Sequence, residues 1–97
     1  MKTGVELIAI ERQEQIEKHG FDNQYTKDHP EYYLNKQLVI AATELLSQHP
    51  SIMRFPESWD NKATIHRMAS KSYKERLIIA GALIAAEIDR LQATGGQ

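Results

Sequence analysis

The sequence predicts an all-α domain: a small bundle of three main helices, with a short fourth helix in a long connection. Apolar residues recur at helical spacing in three stretches, and Ser/Thr-x-x-Glu capping boxes open the first and last of them. A chain of 97 residues forms one domain with a thin core. We therefore expect a single helical domain over residues 1–97, packed around residues 77–88.

The first helix is expected to begin at a capping box of Thr3 and Glu6 and to run to about His19, where Gly20 would stop it. Its first half carries two apolar arcs, one of Val5, Ile8, Ala9 and Ile16 and one of Leu7 and Ile10. This pattern predicts burial on two sides. Leu7 and Ile10 should then face another helix or another subunit.

The middle of the chain predicts a loop over residues 20–32, followed by a second helix from about Tyr33 to Gln48 with one core-facing stripe. Residues 49–71 are irregular, apart from a short helix over Asn61 to Met68 capped by Asp60. Connections of this length in small domains are often functional.

The last helix is expected to open at a second capping box, formed by Ser72 and Glu75. Its apolar run from Leu77 to Ala86 is ten residues, about half of what crosses a bilayer. A helix that is apolar on all sides is instead surrounded by other helices. Small residues along it, Ala80, Gly81, Ala82, Ala85 and Ala86, would let neighbouring backbones approach closely.

Composition limits the function classes. The formal net charge of −1 argues against bulk nucleic-acid binding, and the absence of cysteine excludes disulfides and thiolate metal sites. The opening MKTGVELIAIERQ shows no signal peptide. We therefore expect a cytoplasmic protein, in the host cell cytoplasm if a phage encodes it, with no membrane partner.

Basic residues are concentrated before and within the first turn of the last helix. Residues 62–76 contain five basic residues and one acidic residue, Glu75. Helix amino termini favour anions, and nearby aromatic rings can stack on a base. This pattern predicts a site for a nucleotide-like anion, although a basic stretch can also be plain solvated surface. The candidate residues are Trp59, Arg67, Lys71, Ser72, Tyr73, Lys74 and Arg76.

A second candidate group lies on the first helix. Arg12, Gln15 and His19 fall within the arc set by Val5, Ile8 and Ile16, so polar groups interrupt an apolar face. Either they bond to neighbouring groups at the edge of the core, or they line a ligand pocket.

Carboxylates offer an enzymatic alternative. All-α nucleoside triphosphate pyrophosphohydrolases hold Mg²⁺ with Glu-x-x-Glu and Glu-x-x-Asp pairs on two helices, and Glu11 with Glu14 matches the first pair. Glu87 and Asp89 are two residues apart, however, and point in nearly opposite directions on a straight helix. The second pair is therefore missing, and Mg²⁺ is expected only under this alternative. No histidine spacing matches a metal motif.

The stretches GVELIAIERQEQI and RLIIAGALIAAEIDRL resemble the two ends of a family of small, uncharacterised phage and prophage proteins. Their ends read Glu-Leu-Ile-Ala-x-Glu-Arg-x-x-Gln-Ile and Lys-Ala-Gly-Ala-Leu-Ile-x-Ala-Glu-Ile-x-Arg-Leu. Between the helices, the family carries Trp, His-Asp-Asp-x-His and Gly-Glu-Leu. This chain has Phe21, then Tyr25 to Lys27 followed by His29, and Lys36-Gln37-Leu38 instead. The replaced acids are potential metal ligands, so the departures favour an anionic ligand over a metal.

Together these features predict a small phage-type accessory protein that binds an anionic, nucleotide-like ligand without catalysis or cofactor. An anti-defence sponge that sequesters a nucleotide signal is its concrete form. The alternatives are a divergent Mg²⁺-dependent pyrophosphohydrolase and a structural or protein-binding oligomer. A thin core also favours a homo-oligomer.

Overall fold

The computed structural model describes residues 1–19, 36–59 and 61–93, which form four α-helices and one 3-10 turn, with no β-strand. The elements are α1 (Gly4–His19), α2 (Gln37–Leu45), the 3-10 turn (Ile52–Arg54), α3 (Lys62–Ala69) and α4 (Tyr73–Ala93). The predicted all-α class is confirmed. The loop predicted over residues 20–32 lies outside the described residues.

Helix α4 is the centre of the fold, as predicted, because it packs against both α1 and α2. Ile8 lies against Gly81 and Arg12 reaches Asp89, so α1 runs parallel to α4. Arg76 near the start of α4 reaches the end of α2, so these two helices are antiparallel. The core contains Leu38, Ala41, Ala42, Leu45, Phe55, Ile65, Ile79, Ala80, Leu83 and Ala86.

Both predicted capping boxes are present. The amide of Thr3 donates to Glu6 Oε1 (2.8 Å), and the amide of Glu6 donates to Thr3 Oγ1 (3.2 Å). At the start of α4, the amide of Glu75 donates to Ser72 Oγ (3.2 Å), while the amide and hydroxyl of Ser72 both donate to Glu75 Oε1. Each box satisfies amides that have no partner inside the helix.

Within the described part of the chain, α1 is buried on one side, and the prediction that Leu7 and Ile10 face another subunit stays a prediction. Val5 is 79% exposed and Ile10 is 43% exposed, whereas Ile8 and Leu7 are half-buried. The reason is that, among the described elements, α1 makes its extensive contacts with α4 alone. A single partner helix covers only one side of α1.

Helix α2 is shorter than the predicted span of 33–48. Lys36 has a left-handed backbone (φ 66°, ψ 27°), and the helix begins at the next residue. Only glycine adopts this conformation without a steric cost. Residues 33–35 of the predicted helix lie outside the described residues.

The end of α2 is held by a buried carboxylate. Glu44 accepts hydrogen bonds from the amide of Ser51 (2.9 Å) and from Arg54 Nε (3.0 and 3.1 Å), and Arg54 also donates to the carbonyl of His49 (3.0 Å). The hydrogen bond from Arg54 is the main reason that the pKa of Glu44 is lowered. This clasp fixes the chain as it leaves α2.

The short helix in the connection is present as α3, close to the predicted Asn61 to Met68. Its cap is Asn61, whose Oδ1 accepts from the amide of Thr64 (3.1 Å), and the prediction that Asp60 caps it was wrong. Asp60 itself lies outside the described residues. Both residue types cap helices well, so composition alone could not choose between neighbours.

One face of α4 is uncovered by the described helices, although the sequence predicted that it is surrounded. Leu77, Ile84 and Ile88 are 39%, 43% and 51% exposed, and their spacing of seven and four residues aligns them in one stripe. None of the described helices is long and apolar enough to cross a membrane.

Candidate functional site

The start of α4, where the sequence predicted an anion site, contains the carboxylate of Glu75. Glu75 accepts from both the amide and the hydroxyl of Ser72, and these hydrogen bonds lower the pKa of its carboxyl group. Lys71 Nζ lies 3.9 Å from Glu75 Oε2. Ser72 and Lys71 are therefore engaged with Glu75.

Arg76, another candidate ligand residue, is turned into the protein. Its side chain is buried, and its guanidinium donates to the carbonyls of Leu45 (2.7 Å), Ser47 (2.6 Å) and Lys71 (3.2 Å). Two of these carbonyls belong to the end of α2, where helix carbonyls lack partners within the helix. Arg76 thus joins α2 to α4.

The two aromatic candidates differ. Trp59 is half-buried and packs against the hydrophobic core, so its ring is largely used in packing. Tyr73 is 62% exposed, with the guanidinium carbon of Arg76 at 5.7 Å from its ring centre. Arg67 is exposed on α3 and Lys74 is exposed on α4.

The second candidate group lies in the C-terminal half of α1. Arg12 donates from Nε (3.2 Å) and Nη2 (3.0 Å) to Asp89 Oδ2 on α4. Gln15 is only 4% exposed, and its Oε1 has no hydrogen-bond partner in the described part of the chain. His19 ends α1, but its side chain lies outside the described structure.

The two predicted groups are far apart. Because α1 and α4 are parallel, Arg12 lies beside Asp89, fifteen residues along α4 from Lys74. A helix rises about 1.5 Å per residue, which places the groups roughly 22 Å apart. The structure therefore does not bring the predicted residues into one site.

The carboxylates of α4 are paired with arginines. Glu87 and Arg90 form a buried pair (Oε1 to Nε 2.7 Å, Oε2 to Nη2 3.1 Å), and Asp89 accepts from Arg12. The hydrogen bond that Arg90 donates to Glu87 is the main cause that raises the pKa of Arg90. Glu87 and Asp89 therefore serve different partners, as their spacing predicted. Residues 1–19, 36–59 and 61–93 contain no group of three or more His, Cys, Asp or Glu that could hold a metal ion.

A cleft of about 340 Å³ lies where α1 and α4 begin. Its lining is mainly aliphatic and includes two lysines: Met1, Lys2, Gly4, Leu7, Ile8, Lys74, Leu77 and Ile78. Both lysines are exposed, so their ammonium groups are accessible to solvent. Its volume falls at the lower end of the range typical of small-molecule pockets, which are also mostly apolar with a few polar groups.

Of these lining residues, only Lys74 belongs to the ligand-binding residues that the sequence predicted. The capping boxes at Thr3 and Ser72 mark both helix starts, and these signals were visible. That the starts are neighbours depends on parallel packing of two helices separated by about fifty residues of chain. No local pattern encodes this arrangement.

No protein-family model matches the chain, and neither do any curated proteins or solved structures. The geometry of the cleft and the charges around it are therefore the features that bear on function.

Proposed function

We propose that the chain is a small accessory protein that binds a nucleotide-like anion, without turning it over, in the cleft between the starts of α1 and α4. One observation carries the proposal: an aliphatic cleft of about 340 Å³ with two exposed lysines, Lys2 and Lys74, in its lining. An apolar body with a negative group complements such a surface. Ordered helix starts on both sides also reduce the entropy lost on binding.

The pairing of the α4 carboxylates supports binding over hydrolysis. A Mg²⁺-dependent pyrophosphohydrolase needs a second acidic pair facing Glu11 and Glu14, but Glu87 and Asp89 bind Arg90 and Arg12. Recruiting them to a metal would leave the buried Arg90 without its counter-ion, which is costly. The resemblance to phage proteins adds the concrete form of the proposal, a sponge that retains a nucleotide signal of host defence intact.

The test is recovery of the ligand. The full chain is incubated with linear and cyclic nucleotides, with and without Mg²⁺, then washed and denatured, and the released compounds are analysed. Intact nucleotide supports the proposal. A converted product whose formation needs Mg²⁺ and is abolished by Glu11→Gln with Glu14→Gln would instead establish the enzymatic alternative.

The lysines provide the site-specific version of the test. A charge-assisted hydrogen bond contributes about 1.5–3 kcal/mol, so Lys2→Ala with Lys74→Ala should raise the Kd at least about tenfold by calorimetric titration. Lys62→Ala, at an exposed lysine of α3, is the matched control and should leave the Kd unchanged. An unchanged Kd in the double variant would place the ligand elsewhere.

Self-association is a second proposal, favoured by the exposed Ile84 and Ile88 on α4, which lie outside the lining of the cleft. Aligned aliphatic side chains on a small domain often mark a protein contact. A second copy of the chain is the occupant that we propose for this face.

A further inference from the structure

The walls of the cleft determine which part of a ligand can be recognised. Apart from its two lysines, the described lining residues have aliphatic side chains, except Met1, which is a thioether, and Gly4, which has no side chain. Leu7, Ile8, Leu77 and Ile78 lie within helices, whose amides and carbonyls bond to each other. These four residues therefore offer no hydrogen-bonding group to the edge of a nucleobase.

Among the described residues, the two exposed or half-buried aromatic side chains, Trp59 and Tyr73, do not compensate. Neither Trp59 nor Tyr73 lines the cleft, and Trp59 packs against the core. Base recognition by proteins depends on hydrogen bonds to base edges or on stacking against rings. Among the described lining residues, the two lysine ammonium groups are the side-chain hydrogen-bond donors, and there is no aromatic ring and no side-chain oxygen or nitrogen that accepts.

The two lysines recognise charge without fixing geometry. A lysine ammonium is a compact charge on a flexible stem, whereas an arginine fork selects a planar, bidentate partner. The nearest arginine of α4, Arg76, donates to carbonyls of α2 and of Lys71. The cleft thus favours any small anion and does not specify how its oxygens are arranged.

We propose, building on the function proposed above, that the cleft selects an anionic head joined to an apolar body and does not distinguish one nucleobase from another. A short alkyl phosphate has this chemistry throughout, and a nucleoside monophosphate shares it through its phosphate and the flat faces of its base. Apolar walls separate ligands by size and apolar area, whereas large discrimination requires polar groups that are left unpaired by the wrong ligand.

The experiment is calorimetric titration of the full chain with five probes: adenosine 5′-monophosphate, guanosine 5′-monophosphate, hexyl phosphate, adenosine and inorganic phosphate. The two nucleotides should bind within about tenfold of each other, and hexyl phosphate should bind comparably. Adenosine and inorganic phosphate, which each lack one half of the chemistry, should bind at least tenfold more weakly.

A matched pair of variants locates the apolar contact. Leu77 lines the cleft and is 39% exposed, whereas Ile84 is 43% exposed on the same helix and outside the cleft. Leu77→Ala should weaken hexyl phosphate and both nucleotides severalfold, and Ile84→Ala should weaken none of them. Partial exposure of both side chains keeps the fold intact in each variant.

The outcomes separate this inference from the proposed function. A preference of more than about thirtyfold for one nucleotide, or failure of hexyl phosphate alone to bind, overturns the inference and leaves nucleotide binding standing. If none of the phosphate-bearing probes binds, the proposed function fails and the inference fails with it. Equal weakening by Leu77→Ala and Ile84→Ala would show that the ligand does not occupy the cleft.

Discussion

Arg76 was predicted to bind an anion, yet in the structure its guanidinium donates to the carbonyls of Leu45, Ser47 and Lys71. Sequence identifies a cation near a helix start but cannot tell whether its side chain turns outward to solvent or inward to the end of another helix. Buried carbonyls that lose a donor cost about 1–3 kcal/mol each. The residue is therefore best tested by its effect on stability.

We expect Arg76→Ala to lower the free energy of unfolding by about 2–4 kcal/mol, measured by urea denaturation. Arg76→Lys should recover only part of the loss, because an ammonium cannot reach all three carbonyls as a planar fork does. Arg67→Ala, at an exposed arginine of α3, should change the free energy by less than about 0.5 kcal/mol. Equal effects at the two positions would contradict the structural role.

At the scale of elements, α1 and α4 are in close contact where Gly81 meets Ile8. A Cβ placed on Gly81 would lie 2.6 Å from Ile8 Cδ1 and 3.0 Å from Ile8 Cγ1. Glycine in a helix costs about 0.5–1 kcal/mol relative to alanine. The close contact is therefore obtained at the expense of local helix stability.

This contact predicts coupling between the two positions. Gly81→Ala should destabilise the wild-type chain by about 1 kcal/mol, because Ile8 must shift. In the Ile8→Val background, which lacks Cδ1, the same change should be neutral or stabilising by about 0.5 kcal/mol, because the helix propensity of alanine is then gained. A double-mutant cycle from urea unfolding measures the coupling. Additive effects would show that the helices are not in contact here.

Three glutamates that accept hydrogen bonds at the ends of helices make stability depend on pH. Hydrogen bonds lower the pKa of Glu6 and Glu75 in the capping boxes and of Glu44 beside Arg54, each from an ordinary value of 4.5. Because the folded-state pKa lies below the unfolded one, the unfolded chain binds more protons in that window. Their contribution is present above pH 4.5 and is lost as the pH falls through the folded-state values.

We therefore expect the free energy of unfolding to decrease steadily as the pH falls below 4.5. In Glu44→Gln the decrease should be shallower, because one of the three groups no longer titrates. Glu57→Gln, at an exposed glutamate, is the control and should leave the slope unchanged. Chemical denaturation at several pH values gives both slopes. A wild-type slope of zero would show that these hydrogen bonds do not form in solution.

Local patterns predicted the elements well where the deciding contacts are local. The Thr3 and Ser72 boxes each lie within one helical turn, so both helix starts followed from the sequence. The start of α2 did not, since it depends on a left-handed backbone at Lys36, a residue type that gives no such signal. Exposure of Val5 was also missed, because a helical wheel cannot count the partners of a helix.

At the scale of the whole molecule, the candidate site was harder to predict than the fold. The cleft exists because α1 and α4 are parallel. Its lining contains Leu7 and Ile8 of α1 and Leu77 and Ile78 of α4, which are far apart in the sequence. Conversely, charge and aromatic content suggested an anion site around the start of α4, but Lys71 and Ser72 contact Glu75, Arg76 donates to backbone carbonyls and Trp59 packs against the core. Side-chain direction and long-range pairing decide such sites.

The exposed stripe on α4 also belongs to this scale, because we propose that a second copy of the chain covers it. Ile84 and Ile88, outside the cleft, lie about one helical turn apart and are 43% and 51% exposed. In a monomer, Ile84→Glu places its carboxylate at a half-exposed position and should cost little stability. In a self-association interface, the same carboxylate would be buried without a partner, at a cost of several kcal/mol.

We therefore expect the wild-type chain to sediment as an oligomer at micromolar concentration and Ile84→Glu to sediment as a monomer with nearly unchanged thermal unfolding. Val39→Glu is the matched control, since Val39 is an aliphatic residue of α2 with 39% exposure and lies outside the stripe; it should leave the oligomer intact. Dissociation by both variants would point to a different interface, and a monomeric wild-type chain would refute self-association through this face. Oligomerisation also makes stability depend on concentration, so the melting temperature of the wild type should rise with protein concentration while that of Ile84→Glu stays constant.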